Sequence, residues 1–242
     1  MASTFSSDLK LELMATSGTT SFNLEIDEVI QEAYNRCGVR TNSGYDLKRA
    51  RRNLNILFSE WGNRGVHLWK VEQQTQALTA GTISYNVPSN ASDVLEAFIS
   101  TTSGTDSSTN DISLSKIDRS AYAALPNKGS TGQPSQYFVD RQIIPVINLY
   151  LAPDASTYTH LKYFTINRIE DAGAYTNTAD VAFRFQPCMV SGLAYYLSFM
   201  SNPNQTANLK LVYEDELQRA LNEDGQRASV YISPQTFYGD GV

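Results

Sequence analysis

The hydrophobic period of this chain changes twice, and that restricts its fold more than any single motif does. In "LEIDEVIQEAYNRCG", Ile26, Val29, Ile30, Ala33, Tyr34 and Cys37 fall on one helical face. Asn23 is the expected N-cap, acids occupy the first turn, and Gly38 is the expected stop. A Gly/Ser/Asn loop leads to "YDLKRARRNLNILFSEWGNRG". There Leu47, Ala50, Leu54, Leu57, Phe58 and Trp61 repeat the stripe, and Gly62 and Gly65 are expected to end the helix.

From Val71 the period becomes two. Ile83, Tyr85 and Val87 alternate in "ISYNV", and further strands are expected at 94–99, 112–117, 136–140, 143–151 and 160–168. Turn-rich tracts such as "STTSGTDSSTND" and "PNKGSTGQPS" separate them. One short helix, "DRSAYAAL", interrupts the series with Asp118 as its N-cap. After "RIEDAGAYTNTAD" the helical period returns. Pro187 suits a first turn, and Val190, Leu193, Ala194, Leu197 and Met200 form the stripe. A last helix places Leu209, Val212, Tyr213, Leu217, Ala220 and Leu221 inward and ends near Gly225.

An amphipathic helix must bury its stripe, and here the comparable stripes belong to the other helices. The expectation is therefore an α+β fold: a four-helix-type bundle built from N- and C-terminal helices, with a β-rich, sandwich- or barrel-like module inserted between them. Its parts would be a flexible N-terminal arm (1–22), a helical hairpin (23–69), the β-rich insertion (70–170), the C-terminal helices (171–225) and an extended tail (226–242).

Composition bears on function by exclusion. A net charge of −6 argues against tight nucleic-acid binding, which is driven by basic residues. Only 18% of residues are charged while 14 are tyrosine, a surface suited to broad protein contacts. No apolar run reaches the roughly 18 residues of a membrane span, so no membrane insertion is expected. The first twenty residues have neither a basic region nor a continuous apolar core, so no signal peptide is expected.

Chemistry has few candidates. Cys37, Cys188, His67 and His160 are the soft ligands, and no two are at metal-ligand spacing. Cys188 lies near a helix N-terminus, which can activate a thiol, but no partner nearby completes a pair. Neither metal nor cofactor is expected.

The stretch "EWGNRGVHLW" groups Glu60, Trp61, Arg64, His67 and Trp69. An apolar wall can raise a carboxylate into the general-acid range. Helical phase, however, puts Glu60 roughly a hundred degrees from Trp61. The stretch reads better as a structural joint made by Trp61, Gly62, Gly65 and Trp69, with one tryptophan anchoring each part. Arg64 and His67 are then candidate subunit contacts. "LKRARR" presents Lys48, Arg49, Arg51 and Arg52 as a subunit-bridging, DNA-channel or solvated face.

The order of these pieces is similar to a known family. "EVIQEAYNRCGV" is followed by a helix of the form ARRxLNxLxxEWxxRG, here "ARRNLNILFSEWGNRG", and then by LTxGxxxYxxP, here "LTAGTISYNVP". "GQPSQYFVDRQ", "INLYLAPD" and "RIEDAG…FRFQPCMVSGLAYYLS" continue the pattern. Over about residues 20 to 225 the chain resembles the head-to-tail adaptor (connector, or tail tubular A-type) proteins of short-tailed bacteriophages. The resemblance implies a non-enzymatic structural virion protein. Such proteins form a ring, usually of twelve copies, beneath the portal protein. The ring passes double-stranded DNA and seats the tail nozzle or tube, and often tail fibres. It also implies that the C-terminal segment reaches the portal, which points to Val230, Tyr231, Ile232, Phe237 and Tyr238. The alternatives are a virion-associated murein-degrading enzyme using Glu60, or a DNA-end-binding plug using Arg49, Arg51 and Arg52.

Overall fold

The computed structural model describes residues 18–20, 22–40, 44–66, 68–104 and 110–225. The expectations for His67, most of the N-terminal arm and the whole tail, including Val230, Tyr231, Ile232, Phe237 and Tyr238, lie outside the described residues.

The fold is α+β, with N-terminal helices, central β-sheets, and C-terminal helices that pack on the N-terminal ones. The helices are α1 (Ile26–Arg36) and α2 (Gly44–Asn63), then, after the sheets, α4 (Gln186–Ser201) and α5 (Thr206–Asp224). The short α3 (Arg119–Ala124) lies among the strands, and the Asp118 side chain caps it by accepting from the Ala121 amide at 2.6 Å. The cap of α1 differs from the expected Asn23. Glu25 is the N-cap and forms a reciprocal capping box with Glu28, whose carboxylate accepts from the Glu25 amide at 3.0 Å. Gly38 does follow α1 in the left-handed conformation, at φ 71°. In α2 the helix runs through Gly62 to Asn63, and of the two expected stop glycines only Gly65 (φ 79°) is left-handed.

Helix α4 is the centre. Cys188 through Ala194 are buried without a break, as are Leu197 and Ser198, so it has no single stripe. Helices α1, α2 and α5 all pack against it. Three helices around one largely buried helix are not clearly a four-helix bundle, because the four do not contribute equal inward faces. The stripes of α1 and α2 fall where the periodicity put them: Ile26, Val29, Ile30, Ala33, Leu54, Leu57 and Trp61 are buried. Met200 and Val212, expected inward, are exposed: at its C-terminal end α4 buries Leu197 and Ser198 instead, and α5 buries only Leu209, Tyr213, Leu217 and Ala220.

The strands form two four-stranded sheets around a second core. One has the order β1 (Val71–Ala77), β10 (His160–Asn167), β3 (Ala91–Ser100), β4 (Asp111–Ser113), antiparallel throughout. The other has the order β2 (Ser84–Asn86), β8 (Val146–Tyr150), β7 (Gln136–Asp140), β5 (Ser115–Ile117), in which β5 is parallel to β7. Val94, Ala97, Ile99, Leu161 and Tyr163 of the first sheet meet Tyr85, Tyr137, Val139, Ile147 and Leu149 of the second. A two-residue parallel ladder joins β6 (Thr131–Gly132) to β9 (Ala152–Pro153).

Two strand expectations change. The run 112–117 is two strands, because the chain leaves one sheet at Ser113 and joins the other at Ser115, with buried Leu114 as the corner. The run 143–151 is a strand only from Val146. Ile143 and Ile144 stay exposed at the tip of the β7–β8 connection, where no strand among the described residues pairs with them.

Gly192 shows how tightly the helical layer closes. A Cβ there would lie 2.9 Å from the Tyr213 ring and 3.0 Å from both Leu57 methyls. Gly192→Val is therefore expected to destabilise the chain by about 2–3 kcal/mol through overpacking. A lowered urea midpoint at unchanged slope would show it; an unchanged midpoint would mean the three helices are not in this contact.

Candidate functional site

The corner that holds Glu60, Trp61 and Arg64 is built by α2 and α5. Trp61 is fully buried, and its indole N–H donates to the Tyr213 hydroxyl at 3.0 Å. That hydroxyl donates on to Glu60 Oε2 at 3.4 Å. Arg64, one turn after Glu60, pairs with it and also forks onto Glu214 of α5, with Nη1 and Nη2 at 2.7 and 2.9 Å from the two carboxylate oxygens. Its guanidinium lies 5.6 Å from the centre of the Tyr213 ring. A planar fork on a carboxylate, combined with stacking on an aromatic face, is an arrangement that arginine makes and lysine does not.

The electrostatics follow from this geometry. Burial pushes the Tyr213 hydroxyl well above its usual range. The Glu214 hydrogen bond holds Arg64 more firmly protonated, and in return the Arg64 hydrogen bond holds the Glu214 carboxyl below the ordinary glutamate range. Glu60 has its oxygens on Arg64 and Tyr213, so its place is that of a buttress between two helices.

Both tryptophans face the helical core. Trp69 lies in a single turn of 3-10 helix (Leu68–Lys70) just before β1, and its ring centre is 4.9 Å from that of Phe185. Phe185 also touches Trp61, at 5.8 Å. The expectation of one tryptophan anchoring each part is thus corrected: a single aromatic cluster holds both, because the turn at 68–70 folds Trp69 back onto the start of α4. The β sheets are tied to this corner by polar contacts instead. Lys70 reaches Asp180 at 2.6 Å, and the Trp69 N–H donates to the Asp180 carbonyl at 3.4 Å. The return segment is pinned where Asn55 accepts from the Ala172 amide at 2.7 Å and Arg51 donates to the Gly173 carbonyl at 3.3 Å.

The basic face of α2 divides. Arg49 bonds Tyr34, Ser201 and Asp46, and Arg51 lies over the Tyr175 ring. Lys48 and Arg52 are exposed one turn apart. The two cysteines are buried and unbridged. The Cys188 thiol donates to the Phe185 carbonyl at 3.1 Å, and burial, with Glu216 nearby, pushes it up to about 12. Cys37 donates to the Ala194 carbonyl at 3.1 Å and is likewise raised by burial. Neither is an activated nucleophile, since catalysis needs the thiolate. Among the described residues no group of three or more His, Cys, Asp and Glu could hold a metal ion, and no helix is long and apolar enough to cross a membrane.

Two features had no signal in the sequence. One is a cleft of about 470 Å³ between the end of α2 (Phe58, Gly62, Val66) and the end of β10 (Ile166, Asn167). The other is an open groove of about 650 Å³ between α1 and the start of α4, floored by Leu24, Pro187 and Val190 and flanked by exposed Phe22 and Phe183. Both are made by segments more than a hundred residues apart, so neither periodicity nor spacing reveals them.

The chain belongs to the SU10 adaptor protein family, whose model matches residues 8–236. This is a family of phage head-to-tail adaptors, virion proteins with a structural role, which implies that the chain is not an enzyme. A comparison with curated proteins returns no match.

The Arg64–Glu214 pair makes a pH prediction. Because the folded Glu214 is held below its ordinary range, the pair's stabilisation is complete above that range and is lost as pH falls through the lower, folded value. Glu214→Gln should lower the melting temperature more near neutral pH than at an acidic pH below the ordinary glutamate range. An equal deficit at both pH values would contradict the assignment.

Proposed function

We propose that this chain is the head-to-tail adaptor ring that joins the portal to the tail. In this reading about twelve copies close into a ring at the portal vertex after assembly in the host cytoplasm, with the bundle of helices as the ring-building part. The ring seats the nozzle or tube and, at its periphery, tail fibres. It also forms part of the channel through which double-stranded DNA is ejected. The observation that carries the reading is the family match over nearly the whole chain. A net charge of −6 suits a channel component, since an acidic wall lets DNA slide without holding it.

The tail is assigned to the portal. Val230, Tyr231 and Ile232 form one apolar run and Phe237 and Tyr238 another, set among small and polar residues after the last helix ends at Asp224. An apolar, aromatic segment of this kind gains most by ordering against another protein. Lys48 and Arg52 are assigned to a contact between copies, where their charges meet acids of a neighbour.

Deleting residues 226–242 is expected to leave a protein that folds and melts normally yet no longer co-sediments with portal rings. Co-sedimentation with undiminished affinity would place the portal contact elsewhere on the chain.

A further inference from the structure

The helical layer exposes two apolar features at opposite ends of α4. At its start lies the groove already described, with Phe22 62% and Phe183 67% exposed above a floor of Leu24, Pro187 and Val190. At its end is an exposed patch: Phe199 is 52% and Met200 75% exposed, and half-buried Tyr196 and Tyr195 pack edge-on and tilted around Phe199 with ring centres 6.4 and 5.0 Å away. With 16 residues in α4, the two ends are about 24 Å apart at 1.5 Å per residue. Within one chain the patch is too far away to fill its own groove. Exposed large apolar patches with polar rims mark association surfaces.

The charges around the two features are opposite. The groove is bordered by Glu28, Glu32, Arg36 and Arg184. Arg184 pairs with Asp224, and Arg36 is shared between Glu32 and Glu216. Four acids against two arginines leave an excess of two negative charges. The patch borders the first turns of α2, because Arg49 donates to Ser201, the residue after Met200. There Lys48, Arg49 and Arg52 lie within two turns of Asp46, which pairs with Arg49, and Glu60 beside Tyr196 is matched by its partner Arg64, so four bases against two acids leave an excess of two positive charges.

We infer that the Phe199–Met200 patch of one copy docks in the Phe22–Phe183 groove of the next copy, making the contact that repeats around the ring. The inference rests on the adaptor reading and names its interface. One surface meets a different surface, so the contact is heterologous, the type that closes into a ring by rotation. The apolar centre of such a contact supplies most of the affinity, and the charged rim sets the register and rejects the reversed pairing. It also gives exposed Lys48 and Arg52 a counterpart in Glu28 and Glu32.

The test uses the full-length chain, alone and with portal rings, and four proteins: wild type, Met200→Glu, Phe183→Arg, and the double variant. Both positions are exposed, so circular dichroism and melting should be unchanged and any loss is one of association. Sedimentation velocity should show each single variant assembling at least about tenfold less tightly, as expected for a central anchor residue. The double variant should recover most of the loss, because every junction then sets the introduced glutamate of one copy against the introduced arginine of the next. Single variants that build rings as well as wild type would overturn the assigned interface and leave the adaptor reading standing. A folded double variant no better than the worse single would overturn it too. Wild-type chain that stays monomeric with portal present would overturn both.

Discussion

A helical stretch with no solvent face cannot be stable outside its surroundings, and the first half of α4 is such a stretch. From Cys188 to Ala194 each side chain is covered, by α1 on one side, by α2 and α5 on others. Each of those three buries its own stripe against α4, so none has an alternative partner of comparable apolar area. The first and last quarters of the chain must therefore fold together, although nearly the whole β part lies between them in sequence. The Trp61–Tyr213 hydrogen bond and the Arg64–Glu214 fork fix the register of α2 against α5 around that centre. Leaving the Trp61 N–H buried without an acceptor would cost about 1–3 kcal/mol, which is enough to reject neighbouring registers.

This arrangement explains why the inserted sheets need no large apolar contact with the helices. They have their own core, and they are held at the joint by polar fastenings around Asp180, Asn55 and Arg51. A β part attached in this way can meet a different partner from the helical part without the two cores competing. For an adaptor, which must touch at least two kinds of neighbour, that separation is useful. The inferred contact between copies lies entirely on the helical layer, leaving the sheets and the exposed tip at Ile143 outside it.

Much of this was legible in the chain because periodicity reports burial directly. The stripe from Ala50 to Trp61, the alternation at Tyr85 and Val87, and the Asp118 cap of α3 all follow from local geometry. What was illegible depends on long-range contacts. Met200 shares the phase of Leu193 and Leu197, yet at this end of α4 the covered residues are Leu197 and Ser198, and Met200 is left exposed. Trp69 precedes a strand, as a sheet residue would, but the 3-10 turn redirects it to Phe185. Glu214 is 150 residues from Arg64, and nothing in its own surroundings marks it as the partner that holds that arginine. The groove and the patch are likewise properties of helix ends that meet only in the fold.

The central claim is that this chain builds a closed ring on the portal. Electron microscopy of the full-length protein, imaged alone and mixed with portal rings, tests it most directly. The account predicts annular density of rotational symmetry stacked on one face of the portal. Portal rings that remain bare at saturating concentrations of the folded chain would contradict it.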